Sequence, residues 1–168
     1  NERLVTEKYI ARLENETACL VSDAGTPGIS DPGFRLVRAA RAGNTEVVAL
    51  PGANAATTAL SASGLPTDRY LFAGFLPKTE HKVIELVNQA KLAEATLVTY
   101  ESPQRIIKTL VYIEKNFPEV NCVVARELTK LHEEYLTGTP TQLLEKLQTK
   151  LKTIPSIKGE ITFLLSFK

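Results

Sequence analysis

Leu4, Val5, Tyr9, Ile10 and Leu13 recur at helical spacing and predict that the chain opens on a helix. The short apolar run 17–21 then reads as a buried strand. Phe34, Leu36, Val37 and Ala40 mark a second helix that ends near Gly43, and 47–50 reads as the next strand. Strands alternating with helices imply a parallel sheet, because each crossover helix carries the chain back to the same end. Pro51-Gly52 breaks the second strand, and an alanine-rich helix over 53–62 is closed by Gly64.

The segment Gly64-Leu65-Pro66-Thr67-Asp68 is rich in breakers and separates two patterns, so we place a domain boundary there, with domains 1–66 and 67–168. Beyond it the alternation is less regular. Strands are predicted at 70–75, 96–100, 122–126, 135–137 and 161–167, and helices at 82–91, 106–117 and 143–151. The strands at 122–126 and 135–137 are too close for a crossover helix, which makes that pair antiparallel. The second half therefore reads as an α+β domain with a mixed sheet, interrupted by a lysine-rich linker over 146–158.

The segment from Ser22 to Gly33, SDAGTPGISDPG, lies between the first predicted strand and the second helix. Glycines and prolines there let backbone approach a ligand closely, and Asp23, Asp31, Ser22 and Thr26 supply hydrogen-bonding groups. A plain connecting turn uses the same residues. The spacing of Gly25, Gly28 and Gly33 fits neither a Walker loop nor the dinucleotide pattern G-x-G-x-x-G.

Five blocks in order, LVSDAGTPGISDPGFRLVRAA, LPGANAATTALSASGLPTDRYLFAGFLPK, YESPQR, VVARELTKLHEE and KGEI, carry a more specific signal. In order and spacing the chain resembles the bacterial small-subunit ribosomal RNA cytidine 2′-O-ribose methyltransferases of the tetrapyrrole methylase superfamily. The resemblance covers nearly all of the chain. It implies a two-domain fold, with a parallel α/β sheet in the N-terminal domain, a mixed-sheet α+β C-terminal domain, and S-adenosylmethionine in the cleft. It also implies a homodimer acting in the cytoplasm on the small ribosomal subunit and its RNA. Family members carry a further N-terminal strand and glycine-bearing loop. This chain lacks Met and opens on Asn1, so an upstream segment is expected.

The same resemblance assigns residues. Gly25, Thr26, Pro27 and Ile29 stand at the family's cofactor loop, with threonine in place of the superfamily's aspartate. Asn54 and Ala55 match a second cofactor block, where N–H groups at a helix start could meet a carboxylate. Tyr100, Leu128 and Gly159 match the remaining cofactor-facing segments. Core packing for Tyr100 and Leu128, and a turn for Gly159, remain open on the residues alone.

Methyl transfer to a ribose hydroxyl requires alignment of nucleophile, methyl and sulfur, together with a proton acceptor. Glu101 and Glu127 end apolar strands, where catalytic groups of α/β sheets tend to lie, and are the catalytic candidates. Arg105, Arg126 and Lys130 are the substrate-side candidates. Arg126 with Glu127 could equally form a structural ion pair. Gln104 occupies a position where many relatives have histidine. A precorrin-type methylase, or a non-catalytic RNA-binding or ribosome-assembly module, are the rival readings.

Charge alone does not point to RNA. The net charge is +1, and residues 1–66 carry six basic and seven acidic side chains against 14 and 12 in residues 67–168. Any RNA contact must come from a local patch, with Arg69, Lys78, Arg105, Lys108, Arg126 and Lys130 as its members. Cys19 and Cys122 lie in apolar runs and read as buried small hydrophobes. His81 and His132 lack neighbours at metal-ligand spacing, so no metal is implied. No apolar run approaches the ~20 residues of a membrane span.

Overall fold

The computed structural model describes the backbone of residues 2–168 and the side chains of residues 5–168, so the Leu4 side chain lies outside the described residues. The elements are α1 (Glu2–Leu13), α2 (Phe34–Ala42), α3 (Ala55–Ala62), β1 (Tyr70–Phe75), α4 (Glu80–Leu92), β2 (Thr96–Glu101), α5 (Ile106–Asn116), β3 (Asn121–Arg126), β4 (Glu134–Gly138), α6 (Pro140–Leu151) and β5 (Ile161–Ser166). They fall into two compact units, Asn1–Asn54 and Ala55–Lys168.

In the second unit the five strands form one sheet in the order β1-β2-β5-β3-β4. β1 and β2 are parallel, joined through α4, and the other pairings are antiparallel. The predicted mixed sheet and the antiparallel β3–β4 pair are both present. Alternation along the strands sends side chains to two faces. Leu97, Val124, Phe163 and Leu165 pack with Val83 and Val87 of α4, Leu110 and Ile113 of α5, and Leu143 and Leu147 of α6. Val98, Val123, Ala125 and Leu164 point the other way, against Ala56, Ala59 and Leu60 of α3.

That second contact moves the division between units upstream of the predicted joint at 64–68. The small side chains of α3 let it lie close on the sheet. The following segment is tied to β2, because Thr96 donates its hydroxyl to the Pro66 carbonyl at 2.7 Å and its N–H to Arg69. The predicted helix over 143–151 is present and starts earlier, so the lysine-rich segment 146–158 is helical as far as Leu151 and not a linker there. Thr139 and Gln142 form a reciprocal capping box, with Pro140 in the first turn, and start a helix that runs through Leu151.

The first unit contains α1 packed against α2, with loops. The runs 17–21 and 47–50 are not strands, which corrects the parallel sheet expected from them. Val21, Val48 and Leu50 are 81%, 70% and 78% exposed. An apolar run becomes a strand only where a neighbouring backbone takes its N–H and C=O groups, and neither run has such a ladder among the described residues. Cys19 is accordingly exposed, contrary to expectation, whereas Cys122 on β3 is buried and its thiol pKa is pushed up by burial.

Candidate active site

The glycine loop of the first unit is held by its own backbone and by a tether to the second predicted cofactor block. Gly25 and Gly28 both adopt φ +81°, a region that side-chain-bearing residues rarely occupy. Ile29 donates its N–H to the Thr26 carbonyl, and the Ser22 hydroxyl donates to the Gly25 carbonyl. Thr26 donates its hydroxyl to the carbonyl of Ala53 at 2.9 Å. The structure therefore joins the Gly25-Thr26-Pro27 turn to the residues directly before Asn54. Gly52 suits this close approach, since a Cβ there would lie a tight 3.2 Å from the Thr26 hydroxyl oxygen. Ile29 leaves an apolar side chain 44% exposed on the loop. Ala55 begins α3 in the second unit and is exposed.

On the sheet, Tyr100 and Glu101 are neighbours in sequence and project to opposite faces. Tyr100 stays on the α3 side, half-buried, with edge-on ring contacts to Phe72 at 5.2 Å and Phe75 at 5.5 Å. Leu128 packs at the margin of the same α3-side cluster. Glu101 turns towards α5 and its side chain is 1% exposed. Its carboxylate accepts hydrogen bonds from the Ser102 N–H at 2.6 Å, the Thr109 hydroxyl at 2.7 Å and Arg105 Nη2 at 3.0 Å.

This arrangement weighs against a proton-acceptor role for Glu101. Three donors occupy its carboxylate, and the side chain is almost fully buried. Arg105 is similarly committed. Its Nη2 also donates to the carbonyls of Leu76 at 2.7 Å and Pro77 at 3.0 Å, so it is a brace between segments before it is a cation for substrate.

Arg126 and Glu127, adjacent in sequence, do not hydrogen-bond to one another. Arg126 Nε donates to Glu134 on the paired strand β4 at 3.0 Å, and Nη1 donates to the Lys158 carbonyl. Lys150 of α6 binds the same Glu134 carboxylate. Partial burial raises the Glu134 pKa, but the hydrogen bonds from Lys150 and Arg126 outweigh it and hold the group below its usual value.

Glu127 forms a second cluster. Its Oε1 accepts from the Glu160 N–H and from Lys130 Nζ, each at 3.0 Å, and Lys130 also reaches Glu160 at 2.9 Å. The Glu160 N–H and then Lys130 hold the Glu127 carboxyl below the usual carboxylate range. Glu160 and then Glu127 hold the Lys130 ammonium above its own. Gly159 packs directly on this cluster, with φ +96° and a hypothetical Cβ only 2.5 Å from Glu127 Cγ. Glu127 and Thr129 take φ +51° and +62°, uncommon for side-chain-bearing residues and a mark of local strain.

Sequence reasoning missed Thr109, Glu134, Glu160 and Phe75 as members of these groups. Thr109 carried a legible signal. It occupies the buried stripe Ile106, Thr109, Leu110, Ile113 of α5, where a hydroxyl requires a buried acceptor. Glu134 carried none, because its partners come from β3 and α6.

The glycine-loop unit and the mixed-sheet unit together match one class of protein. The chain belongs to the tetrapyrrole (corrin/porphyrin) methylase family, whose pattern matches residues 1–144. It is 44% identical over 167 residues to the ribosomal RNA small subunit methyltransferase I of Hydrogenobaculum sp. (strain Y04AAS1), covering 98% of this chain and 70% of that relative. It spans 44–60% of the length of several other relatives bearing the same name. Diphthine synthase shares the fold with a TM-score of 0.72 at 12% identity, over 96% of this chain and 64% of that one. Uroporphyrin-III C-methyltransferase from Thermus thermophilus, solved with S-adenosylhomocysteine, has a TM-score of 0.57 at 13% identity, over 98% and 73%.

Proposed function

We propose that this chain takes part in S-adenosylmethionine-dependent methylation of a cytidine ribose 2′-hydroxyl in small-subunit ribosomal RNA. The observation that carries this reading is the 44% identity, over 98% of the chain, to a ribosomal RNA small subunit methyltransferase. The Thermus methyltransferase with bound S-adenosylhomocysteine has the same fold and supports the cofactor class. The reading includes a homodimer in the cytoplasm, with the small subunit as substrate. Among the described residues no helix is long and apolar enough to cross a membrane.

Bound to this protein, S-adenosylmethionine would supply an electrophilic methyl carbon for the ribose oxygen, with its sulfur as the leaving group and the hydroxyl proton passing to a base or to water. The loop fits such a ligand. Gly25 presents a bare backbone edge, and Thr26 spends its hydroxyl on holding the loop against Ala53. Gly25, Thr26, Pro27, Ile29, Asn54, Ala55, Tyr100, Leu128 and Gly159 are the proposed cofactor contacts, on their match to the family's motifs. Of the two acidic candidates we favour Glu127, since its side chain is 19% exposed against 1% for Glu101. Its lowered pKa keeps it ionised and makes it a weak base, so its proposed work is to orient the hydroxyl. Arg126 and Lys130 are ion-paired, and their proposed contribution to RNA is through the remaining donors.

The decisive measurement is transfer of tritiated methyl by the whole protein to small subunits lacking the modification, with the labelled nucleoside identified. Label recovered as 2′-O-methylcytidine is expected, and label on a tetrapyrrole alone overturns the reading. Gly25→Val should weaken cofactor binding by calorimetry about tenfold or more, because a β-branched residue at φ +81° is strained. Asn54→Ala should weaken it less, since backbone groups supply much of that contact. Unchanged affinity in a folded Gly25→Val protein removes the loop from the site.

A further inference from the structure

β1 carries an irregularity whose effect is to gather aromatic rings. Phe72 is paired with Val98 and Phe75 with Tyr100, so three steps along β1 match two along β2. Gly74, at φ +63°, absorbs the extra residue. In a regular strand, residues three apart face opposite ways. The bulge instead puts Phe72 and Phe75 on the same face, both against Tyr100. Phe72 is half-buried, whereas Phe75 is 65% exposed although its ring is held edge-on.

The segment just beyond Phe75 is fixed with unusual thoroughness for a surface turn. Leu76 is buried, its N–H donates to the Tyr100 carbonyl, and its carbonyl and that of Pro77 both accept from Arg105. Arg105 is in turn held by the buried Glu101, itself bonded to Thr109. Lys78 follows, exposed and without an ion-pair partner among the described residues. A partly buried charge pair thus clamps a short segment that presents one open aromatic ring and one free cation. That pairing of π-face and positive charge is what an unpaired nucleotide needs: a base to stack and a phosphate to neutralise.

We propose that Phe75 and Lys78 bind an unpaired nucleotide of the RNA substrate, the base on the ring and a phosphate at the ammonium, with Glu101 and Arg105 as the positioning residues that hold their segment in place. This rests on the RNA-methylation reading above and adds to it a substrate contact.

The test uses the whole protein with undermethylated small subunits. Phe75→Ala is expected to raise the Kd and KM for subunits about tenfold, with cofactor affinity by calorimetry and thermal midpoint held near wild type; Phe75→Trp is expected to recover most of the loss. Lys78→Ala is expected to reduce the slope of log affinity against log salt by about one. Unchanged subunit affinity in both alanine variants, while the wild-type protein methylates subunits, overturns this inference and leaves the reading standing. Loss of cofactor affinity in Phe75→Ala assigns the ring to the cofactor and overturns it. Conversion to monomers in light scattering assigns the ring to a subunit contact and likewise overturns it. Failure of the wild-type protein to methylate subunits overturns both.

Discussion

The two units of this chain contain apolar runs of similar length and composition, yet only one turns them into a sheet. In the Ala55–Lys168 unit, ITFLLS becomes β5, buried at every position between β2 and β3. In the Asn1–Asn54 unit, the run at 47–50 leaves Val48 and Leu50 mostly exposed. The difference lies in partners. β5 has a strand on either side to satisfy its backbone, and helices on both faces to cover its side chains. Strand propensity is therefore a statement about surroundings as much as about residues.

The sharpest way to break this comparison is to cut an apolar side chain in each unit. Phe163→Ala, at a fully buried position, should cost about 3–5 kcal/mol in urea denaturation. Val48→Ala should stay within about 0.5 kcal/mol. Comparable losses at the two positions would show that 47–50 is buried in solution.

The clamp at the end of β2 offers the next largest effect. Glu101→Ala should cost about 3 kcal/mol, because it strands Arg105, Ser102 and Thr109 without their common acceptor. Thr109→Val should cost about 1 kcal/mol, having removed one donor of three. A neutral Glu101→Ala would mean that the carboxylate is not buried.

A smaller effect is expected where two loops meet. Gly159→Ala meets both a positive φ and the Glu127 side chain, and should cost about 2 kcal/mol. In a Glu127→Ala background part of that cost should disappear, giving a coupling energy of about 1 kcal/mol in a double-mutant cycle. Strict additivity would deny the contact.

The smallest effect is electrostatic. Glu134 has a lowered native pKa, so its ion pairs contribute stability that is fully present above the unfolded carboxylate value of about 4.3. That contribution is lost as pH falls through the lower native value. Wild type should exceed Glu134→Gln by about 1 kcal/mol near neutral pH, with the gap closing under acid. A gap that persists below the native titration would assign the effect to packing.

Local pattern was sufficient for much of this protein. Periodicity located every helix and all five strands of the second unit, and the short connection between β3 and β4 set their antiparallel sense. The order of five motif blocks pointed to the methylase family, because motifs depend on residue identity and spacing that a sequence carries in full. Tertiary structure decided what those residues do with one another. Glu101 and Arg105 look like catalytic and substrate groups when read along a strand end. Strand alternation, α5 and the Leu76-Pro77 carbonyls turn them into a partly buried brace. Arg126 sits beside Glu127 in the chain but bonds to Glu134, because a β-ladder sets residues directly opposite one another regardless of their separation in sequence. A sequence states which groups are available and where the backbone will bend. Which donor meets which acceptor depends on distances set only when sheet and helices have packed.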